Sequence, residues 1–320
     1  MSLIAVAAAV IGLLGGSRDG YGQMVQLTFA GVIGREGTGA GQLLEPAGIA
    51  VDPAGHVYVA DTGNHRVLQF DANGRYLSHT GGFGFNAQQF NQPTDLAATG
   101  LDVYVADAQN RRVQRFDRHL NFISTLAIST LAAGLATPDQ AAQPLGFPRG
   151  IAVSPTGEVY ITDAENEEVV KMSTAGQAEV RFGGFSDGPG RLRNPAGLAV
   201  SRSGEVYVAD MGNNRIAVFD RFGGFLREMG NKNLAVPEGV DVDDQGRVYI
   251  ADTGHDRVIV FSGRGELLLA FGVWGTGLGS FHAPRDVAVD RTGMLYVVDT
   301  GNHRVQKFAV RASQEAKPSN

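Results

Sequence analysis

With 320 residues, of which 43% are hydrophobic, the chain is long and apolar enough to bury a sizeable core, and this composition argues against disorder. A net charge of −6 at pH 7 argues against a nucleic-acid-binding protein, because the phosphates of such a partner need a basic surface. There are no cysteines, which excludes disulfides, zinc–thiolate sites and a thiol nucleophile.

The first segment, residues 1–17 (MSLIAVAAAVIGLLGGS), contains no charged side chain. As a helix it would span about 25 Å, which is less than the ~30 Å hydrocarbon core of a bilayer. We expect a short apolar, helical segment followed by a linker to residue 23. Its length suits a signal-peptide core, although a basic n-region is missing. A membrane anchor and a segment packed on another subunit remain alternatives.

Beyond this segment, one pattern recurs six times. A strand such as HVYVAD or RVYIAD ends each time in an aspartate, and these aspartates are 42 to 56 residues apart. Each copy has a proline, a short apolar strand such as GIAVD (48–52), a turn, and then the V-Y-V strand. A D-x-x-N-x-R turn, a third strand such as RVLQFD (66–71) and a more polar fourth strand follow. Four such strands predict one antiparallel sheet, and six sheets arranged radially bury each other's faces as a β-propeller.

The chain ends supply the last sheet. The sixth copy stops at Phe308 after three strands, whereas residues 28–46 (TFAGVIGREGTGAGQLLEP) parallel residues 268–284 (LLAFGVWGTGLGSFHAP). An N-terminal strand near Gln26–Ile33 is therefore predicted to complete the sixth blade and to remove an open sheet edge. On this basis the propeller covers residues 24–309, and residues 310–320 form a polar C-terminal tail.

The pattern P-x-G-[IVL]-A-V…G-x-[VL]-Y-[VI]-A-D-x-x-N-x-R-[VI] resembles the NHL repeat over about residues 26–309. The resemblance implies an all-β, six-bladed propeller of four-stranded antiparallel blades. It also implies several functions, since NHL propellers include ligand- and protein-binding domains, some of them extracellular sensors. Similar propellers include the peptidyl-hydroxyglycine amidating lyase and the streptogramin lyase, whose metal and histidines lie near the axis. Others, attached to tripartite-motif proteins, bind RNA.

The heptapeptide DTGNHRV occurs at residues 61–67 and again at 299–305. We interpret it as a scaffold turn, because a feature that is present once per blade is structural rather than catalytic. In this interpretation the aspartate accepts hydrogen bonds from turn amides, Gly63 takes a positive φ, and the arginine pairs with a carboxylate or bridges to the next blade. The predicted structural turn residues are Asp61, Asn64, Arg66, Asp107, Asp163, Asp210, Asp252, Asp299 and Arg304.

Function is then expected where the copies differ. In this topology the first strand of each blade is innermost, and the residues just after the repeat proline lie at the mouth of the central channel. Polar side chains occupy this rim at Thr94, Asp95, Arg149, Glu238, Arg285 and Asp286. They could bind a small anion or a peptide terminus, or they could form a self-neutralising ring of charges.

Three further differences have weaker functional interpretations. The third blade carries Glu165, Glu167 and Glu168 in its turn, which suits a solvated acidic turn better than a calcium loop. The spacer at residues 127–146 is either a partner surface or lid, or an insertion packed on neighbouring blades. Histidines His65, His255 and His303 lie on turns of separate blades, too far apart to share a zinc ion, so we predict no metal site.

The sequence therefore predicts a non-catalytic binding or assembly module with no cofactor and no catalytic residue. We expect protein partners through residues 1–17 and 127–146, an exported (periplasmic or extracellular), membrane-associated location, and a membrane contact through the N-terminus. The alternative is a propeller enzyme, of lyase or hydrolase type, with its site at the channel mouth. RNA binding would need a basic face. Arg111, Arg112 and Arg115 cluster in the second blade, but the acidic total argues against nucleic acid.

Overall fold

In a computed structural model, the protein is described over residues 24–126, 145–173, 177–184, 188–230 and 233–313. These residues form six antiparallel sheets of four strands each. Strand β1 is Met24–Ile33, and blade one comprises β2 (Gly48–Val51), β3 (Val57–Asp61), β4 (Arg66–Phe70) and β5 (Tyr76–Gly81). Blade two comprises β6 (Pro93–Ala98), β7 (Asp102–Asp107), β8 (Arg112–Asp117) and β9 (Phe122–Thr125). Blade three comprises β10 (Pro148–Val153), β11 (Val159–Asp163), β12 (Glu168–Met172) and β13 (Ala178–Phe182).

The second half repeats the same unit. Blade four comprises β14 (Pro195–Val200), β15 (Val206–Asp210), β16 (Arg215–Phe219) and β17 (Phe225–Met229). Blade five comprises β18 (Pro237–Val242), β19 (Val248–Asp252), β20 (Arg257–Phe261) and β21 (Leu267–Phe271). Blade six comprises β22 (Pro284–Val289), β23 (Met294–Asp299), β24 (Arg304–Ser313) and β1. The first strands β2, β6, β10, β14, β18 and β22 contact one another in a closed ring around the axis. The predicted all-β, six-bladed propeller is confirmed.

Closure by the chain ends is also confirmed. β1 pairs antiparallel with β24, so that Phe29 lies opposite Phe308 and Ile33 lies opposite Val305. The Phe308 ring packs edge-on against Phe29 at 5.9 Å and against Phe271 of blade five at 5.2 Å between centroids. β24 continues to Ser313, beyond the boundary at residue 309 that the polar sequence suggested.

The core lies between neighbouring blades, because each sheet is apolar on both faces. The second strands are buried along their whole length, as in β3. One cluster joins Tyr58 and Val67 of blade one to Phe90, Val105 and Phe116 of blade two. The remaining blade boundaries pack in the same way, so each blade is stabilised by its neighbours rather than by itself. Among the described residues, no helix is both long and apolar enough to cross a membrane.

The turns between the second and third strands all lie on one face of the ring, which we call the upper face. In blade one, Asp61 accepts hydrogen bonds from Arg66 Nε at 2.7 Å and Asn64 Nδ2 at 2.8 Å. Its other oxygen accepts from the backbone amide of Leu44, 2.6 Å away in the segment that precedes β2. The remaining guanidinium donors of Arg66 contact carbonyl oxygens of that same segment. The turn therefore fastens the incoming chain to its own blade.

Two details of the predicted turn are wrong in blade one. Its aspartate accepts from a backbone amide of the incoming chain, whereas the predicted bonds from turn amides occur in blade three, where Glu165 and Asn166 donate to Asp163 at 3.2 Å. The positive φ occurs not at Gly63 but at His65, with φ of 54°. Gly63 is instead close to the incoming chain, since a Cβ there would lie 2.7 Å from the carbonyl oxygen of Leu44.

The same carboxylate–guanidinium contact recurs at 2.7 Å in the pairs Asp107–Arg112, Asp210–Arg215, Asp252–Arg257 and Asp299–Arg304. Blade three departs from it. Its Glu168 stands at the arginine position and pairs with Arg181 of β13. Asp163 there accepts from the backbone amides of Gly146 at 2.7 Å and Phe147 at 3.0 Å, and also from Asn166 Nδ2 at 2.8 Å.

The histidines connect blades. His65 Nδ1 accepts from the amide of Gln92 at 3.0 Å, and His303 Nδ1 accepts from the amide of Glu45 at 3.0 Å. Each bond runs to the residue just before the next blade's repeat proline. Because the donor is a backbone amide, both rings carry their proton on Nε2. His255 plays a different part, with its Nδ1 2.9 Å from Asp252 Oδ2, where the other blades place asparagine.

Candidate axial binding site

The inner strands begin at the upper face, because in five blades the repeat proline pairs with the aspartate that ends the second strand, as Pro284 does with Asp299. The residues after these prolines therefore surround the axis. The six predicted rim residues line a single recess of about 70 Å³: Thr94, Asp95, Arg149, Glu238, Arg285 and Asp286. We call these six residues the rim. The structure brings together every rim residue that the sequence singled out.

The charged rim side chains are unevenly paired. Arg149 Nη2 lies 3.0 Å from Glu238 Oε2, and its Nη1 donates to Asn194 Oδ1 at 3.1 Å. Arg285 approaches the same Glu238 oxygen only to 3.8 Å, and its side chain is 43% exposed. One carboxylate thus faces two guanidinium groups, and Arg285 retains donors directed at solvent.

The two rim aspartates fasten neighbouring blades. Asp95 Oδ2 accepts from the amide of Ile151 in blade three at 2.8 Å, and Asp286 Oδ2 accepts from the amide of Ile49 in blade one at 2.8 Å. Their Oδ1 atoms accept from the next amide of their own strands. Small neighbours make this arrangement possible, since a Cβ on Gly239 would lie 2.3 Å from Asp286 Oδ1.

Burial raises the pKa of both rim aspartates above the ordinary value for an aspartate carboxyl group. Desolvation raises the pKa of Asp95 to about 7, against the opposing effect of its two amide hydrogen bonds. The pKa of Asp286 is raised well above its usual range by burial and, next, by the nearby Asp95 carboxyl. Burial therefore reduces the negative charge that Asp95 and Asp286 contribute to the rim.

A third acid lies deeper and was missed by the sequence analysis. Asp241 lines a cavity of about 170 Å³ that continues along the inner strands below the recess. It accepts from the amides of Val242 at 2.8 Å and Val289 at 2.7 Å, and burial raises its pKa to about 7. A signal was present in the sequence. The other five blades place alanine at this position, namely Ala50, Ala97, Ala152, Ala199 and Ala288.

The remaining candidates do not converge on this site. In the described parts of the chain, no group of three or more His, Asp or Glu side chains is arranged to hold a metal ion. Glu165 pairs with Arg111 of blade two at 2.9 Å. Arg115 pairs with Asp102 at 2.9 Å and Arg112 with Asp107, so the three arginines of the predicted basic cluster each face an acid. Residues 1–17 lie outside the described residues, as do 127–144 of the spacer.

A larger cleft of about 540 Å³ lies away from the axis, at the boundary of blades three and four. Arg191, Arg193 and Arg215 line it together with Glu167 and Glu228. Arg215 is already engaged by Asp210, as in every other arginine-bearing turn. The cleft is therefore a by-product of the turn scaffold, and the rim is the better candidate.

Comparison with known proteins agrees with the repeat structure. The NHL repeat model matches residues 43–70, 90–116, 145–172, 192–219, 234–261 and 281–308, which together make up just over half of the chain. Each match begins just before a first strand and ends with a third strand.

Two curated relatives match shorter stretches. The RING finger protein nhl-1 of Caenorhabditis elegans is 39% identical over 72 residues, 22% of this chain and 7% of its own length. Protein brain tumor of Drosophila melanogaster is 26% identical over 153 residues, 47% of this chain and 13% of its own length. The match thus covers only a small part of these larger proteins.

Solved structures share the fold at low identity. A gluconolactonase from Xanthomonas campestris superposes with a TM-score of 0.62 at 16% identity, covering 90% of both chains. Virginiamycin B lyase from Staphylococcus aureus gives a TM-score of 0.59 at 14% identity, covering 92% of this chain and 90% of the lyase. At such identities the likeness concerns the architecture alone.

Proposed function

Since the chain belongs to the NHL-repeat family, we propose that its propeller is a non-catalytic module that binds a protein partner on the upper face. The observation that carries this proposal is the rim. Six side chains that vary between otherwise regular repeats converge on one recess, where Arg285 keeps an exposed guanidinium. An acidic group of a partner would find there the exposed guanidinium of Arg285 on a rigid ring.

The same groups offer less to catalysis. Each rim aspartate already accepts two backbone hydrogen bonds, one from its own strand and one from the next blade, so moving it would weaken the ring. The turn residues from Asp61 to Arg304 are likewise committed to fastening the chain. Binding through charge and shape needs no such movement.

The test is quantitative co-purification from the native source. Tagged wild-type protein and the double variant Arg149→Ala/Arg285→Ala would be compared by mass spectrometry after their melting temperatures are measured. We expect at least one stable partner to be lost from the variant. Arg264→Ala, an exposed arginine of the opposite face, is the control and should retain every partner. Retention of all partners by the rim variant would remove the proposal.

An enzyme at the channel mouth is the second candidate, favoured by one observation. The carboxyl group of Asp95 lies in the recess with its pKa raised to about 7, which is a suitable value for acid–base chemistry. A panel of lactones and cyclic esters would test it against wild type and Asp95→Asn. Turnover by wild type that Asp95→Asn abolishes would replace the binding proposal with this one.

We further propose that residues 1–17 tether the module at an exported, membrane-associated location. What supports this is their apolar, uncharged composition. Residues 127–146 would add a second partner contact, and the pairing of the blade-two arginines supports protein rather than nucleic acid as partner. Intact-mass measurement of the native protein from membrane and soluble fractions tests the tether. A soluble chain trimmed near residue 17 would contradict it.

A further inference from the structure

One loop on the upper face displays apolar side chains to solvent. It runs from Gly272 to Ala283, between β21 and β22, and it exposes Val273 by 65%, Trp274 by 71% and Leu278 by 56%. Single exposed apolar residues are common, but three on one short loop are not explained by ordinary surface composition.

The loop is held in place rather than loose. Gly275 N donates to Phe281 O at 2.9 Å, and Phe281 N donates to Val273 O at 2.9 Å, which closes the loop on itself. The turn of blade six holds it from below, through Asn302 Nδ2 to Gly275 O at 2.9 Å. The exposed side chains therefore stand on a fixed frame, and binding to them costs little ordering of the backbone.

The fold does not require these apolar residues. The loops before β2, β6 and β22 each contain the same parallel bridge, formed by Glu36–Leu43, Phe83–Phe90 and Trp274–Phe281. The inner partner is apolar in all three, but the outer partner is a glutamate in the first loop. A position that accepts a charged residue in one copy has no structural need for tryptophan in another.

The loop leads directly to the rim. The Trp274 ring packs edge-on against His282, with centroids 6.3 Å apart. Arg285 follows three residues after His282, so the two Cα atoms are at most about 10 Å apart. Within the described residues, the acidic partner of the Arg285 guanidinium is Glu238 at 3.8 Å, which Arg149 already engages at 3.0 Å. An apolar surface and an under-neutralised cation are therefore within the reach of one short peptide.

We propose that this blade-six sector, comprising Val273, Trp274, Leu278 and Arg285, binds the carboxyl-terminal end of a partner polypeptide. The terminal carboxylate would pair with Arg285 in the recess, and an apolar side chain about three residues upstream would lie on Trp274. The recess, of about 70 Å³, is large enough for a carboxylate. The inference rests on the proposed function. It restricts the binding site on the upper face to the blade-six sector and the ligand to a carboxyl-terminal peptide.

Random heptapeptides displayed with a free carboxyl end provide the test, with a parallel library whose peptides are internal and have no free end. We expect selection to enrich free-ended peptides with an apolar residue about three positions before the terminus. Trp274 is the single tryptophan of the chain, so each synthetic peptide should change the intrinsic fluorescence of the protein. Conversion of the terminal carboxylate to an amide should weaken binding at least tenfold.

Variants locate the site. Trp274→Ala and Arg285→Ala should each weaken a labelled peptide at least tenfold by fluorescence anisotropy. Phe222→Ala is the matched control, since its ring is 68% exposed but lies on the opposite face. The inference would be wrong if amidation of the peptide left its affinity unchanged, or if neither Trp274→Ala nor Arg285→Ala weakened binding. If selection instead enriched internal peptides whose binding was weakened only by Arg149→Ala, the inference would be wrong but the proposed function would stand. Failure of both libraries would count against both.

Discussion

Replacement of Asp241 by alanine tests how the channel acids affect stability. Alanine is a suitable replacement, because the other five blades carry alanine at the equivalent position. Two amides, those of Val242 and Val289, lose their acceptor, at a cost of about 1 kcal/mol each. The equivalent amides of other blades do without a side-chain partner of this kind, so the variant should fold.

The effect should depend on pH in a defined direction. Burial raises the pKa of Asp241 from 3.8 to about 7, so the folded protein holds a proton that the unfolded chain has released. This extra proton stabilises the folded state fully at pH values below the pKa of the carboxyl group in the unfolded chain. The stabilisation is lost as the pH rises through the pKa of the same group in the folded protein. At about 1.4 kcal/mol per pKa unit, the loss between pH 5 and pH 7 is about 2–3 kcal/mol.

Urea unfolding at pH 5 and pH 8.5 provides the measurement. At pH 5 Asp241→Ala should be less stable than wild type by about 1–2 kcal/mol. At pH 8.5 the difference should vanish or reverse, because the wild type then contains a buried, ionised carboxylate. Asp241→Asn, which keeps an acceptor but does not titrate, should show the same flattened pH dependence. Parallel pH curves for all three proteins would refute the reasoning.

Three further predictions concern the scaffold. Asp61→Ala should lower the free energy of unfolding by about 3–5 kcal/mol, because Arg66 and the backbone amide of Leu44 lose their buried partner. An unchanged melting temperature together with loss of partner binding would contradict the scaffold role. His303→Ala should cost about 1 kcal/mol. His303→Asn should cost less, since Asn214 makes the same bond between blades, and equal losses would show that the imidazole acceptor is unimportant. Phe308→Ala should cost about 3–5 kcal/mol in thermal or urea unfolding, and a loss under about 1 kcal/mol would argue against the packing at ring closure.

The fold was predictable because repetition makes many weak signals agree. No single V-Y-V strand specifies a propeller, but six copies with the same proline and turn, five of them with the same arginine, exclude other arrangements. Ring closure could be predicted for the same reason, since residues 28–46 repeat residues 268–284. The rim residues were found by asking where the copies disagree.

The parts that were missed depend on through-space proximity. Asp241 occupies a position that is alanine in the other five blades. The alternation of side chains along a strand, however, does not show which side faces the axis until the arrangement of the blades is known. The role of Gly63 was misassigned because the sequence shows a glycine in a turn but not the carbonyl oxygen that approaches it. The left-handed residue is two positions later and differs between blades, as in His65, Arg111 and Glu167, so no single residue type marks it.

The pairing of β1 with β24 also sets a constraint in time. Residues 24–33 emerge early in synthesis, but their partner at residues 304–313 is made only after five other blades. Contacts between such distant segments form slowly, since a long loop must close before they can contribute. During translation the first strand has no partner, and blade six cannot exist. The propeller therefore becomes a closed ring in a single late step, and any delay or truncation upstream of that step leaves an unpaired strand edge available to other chains.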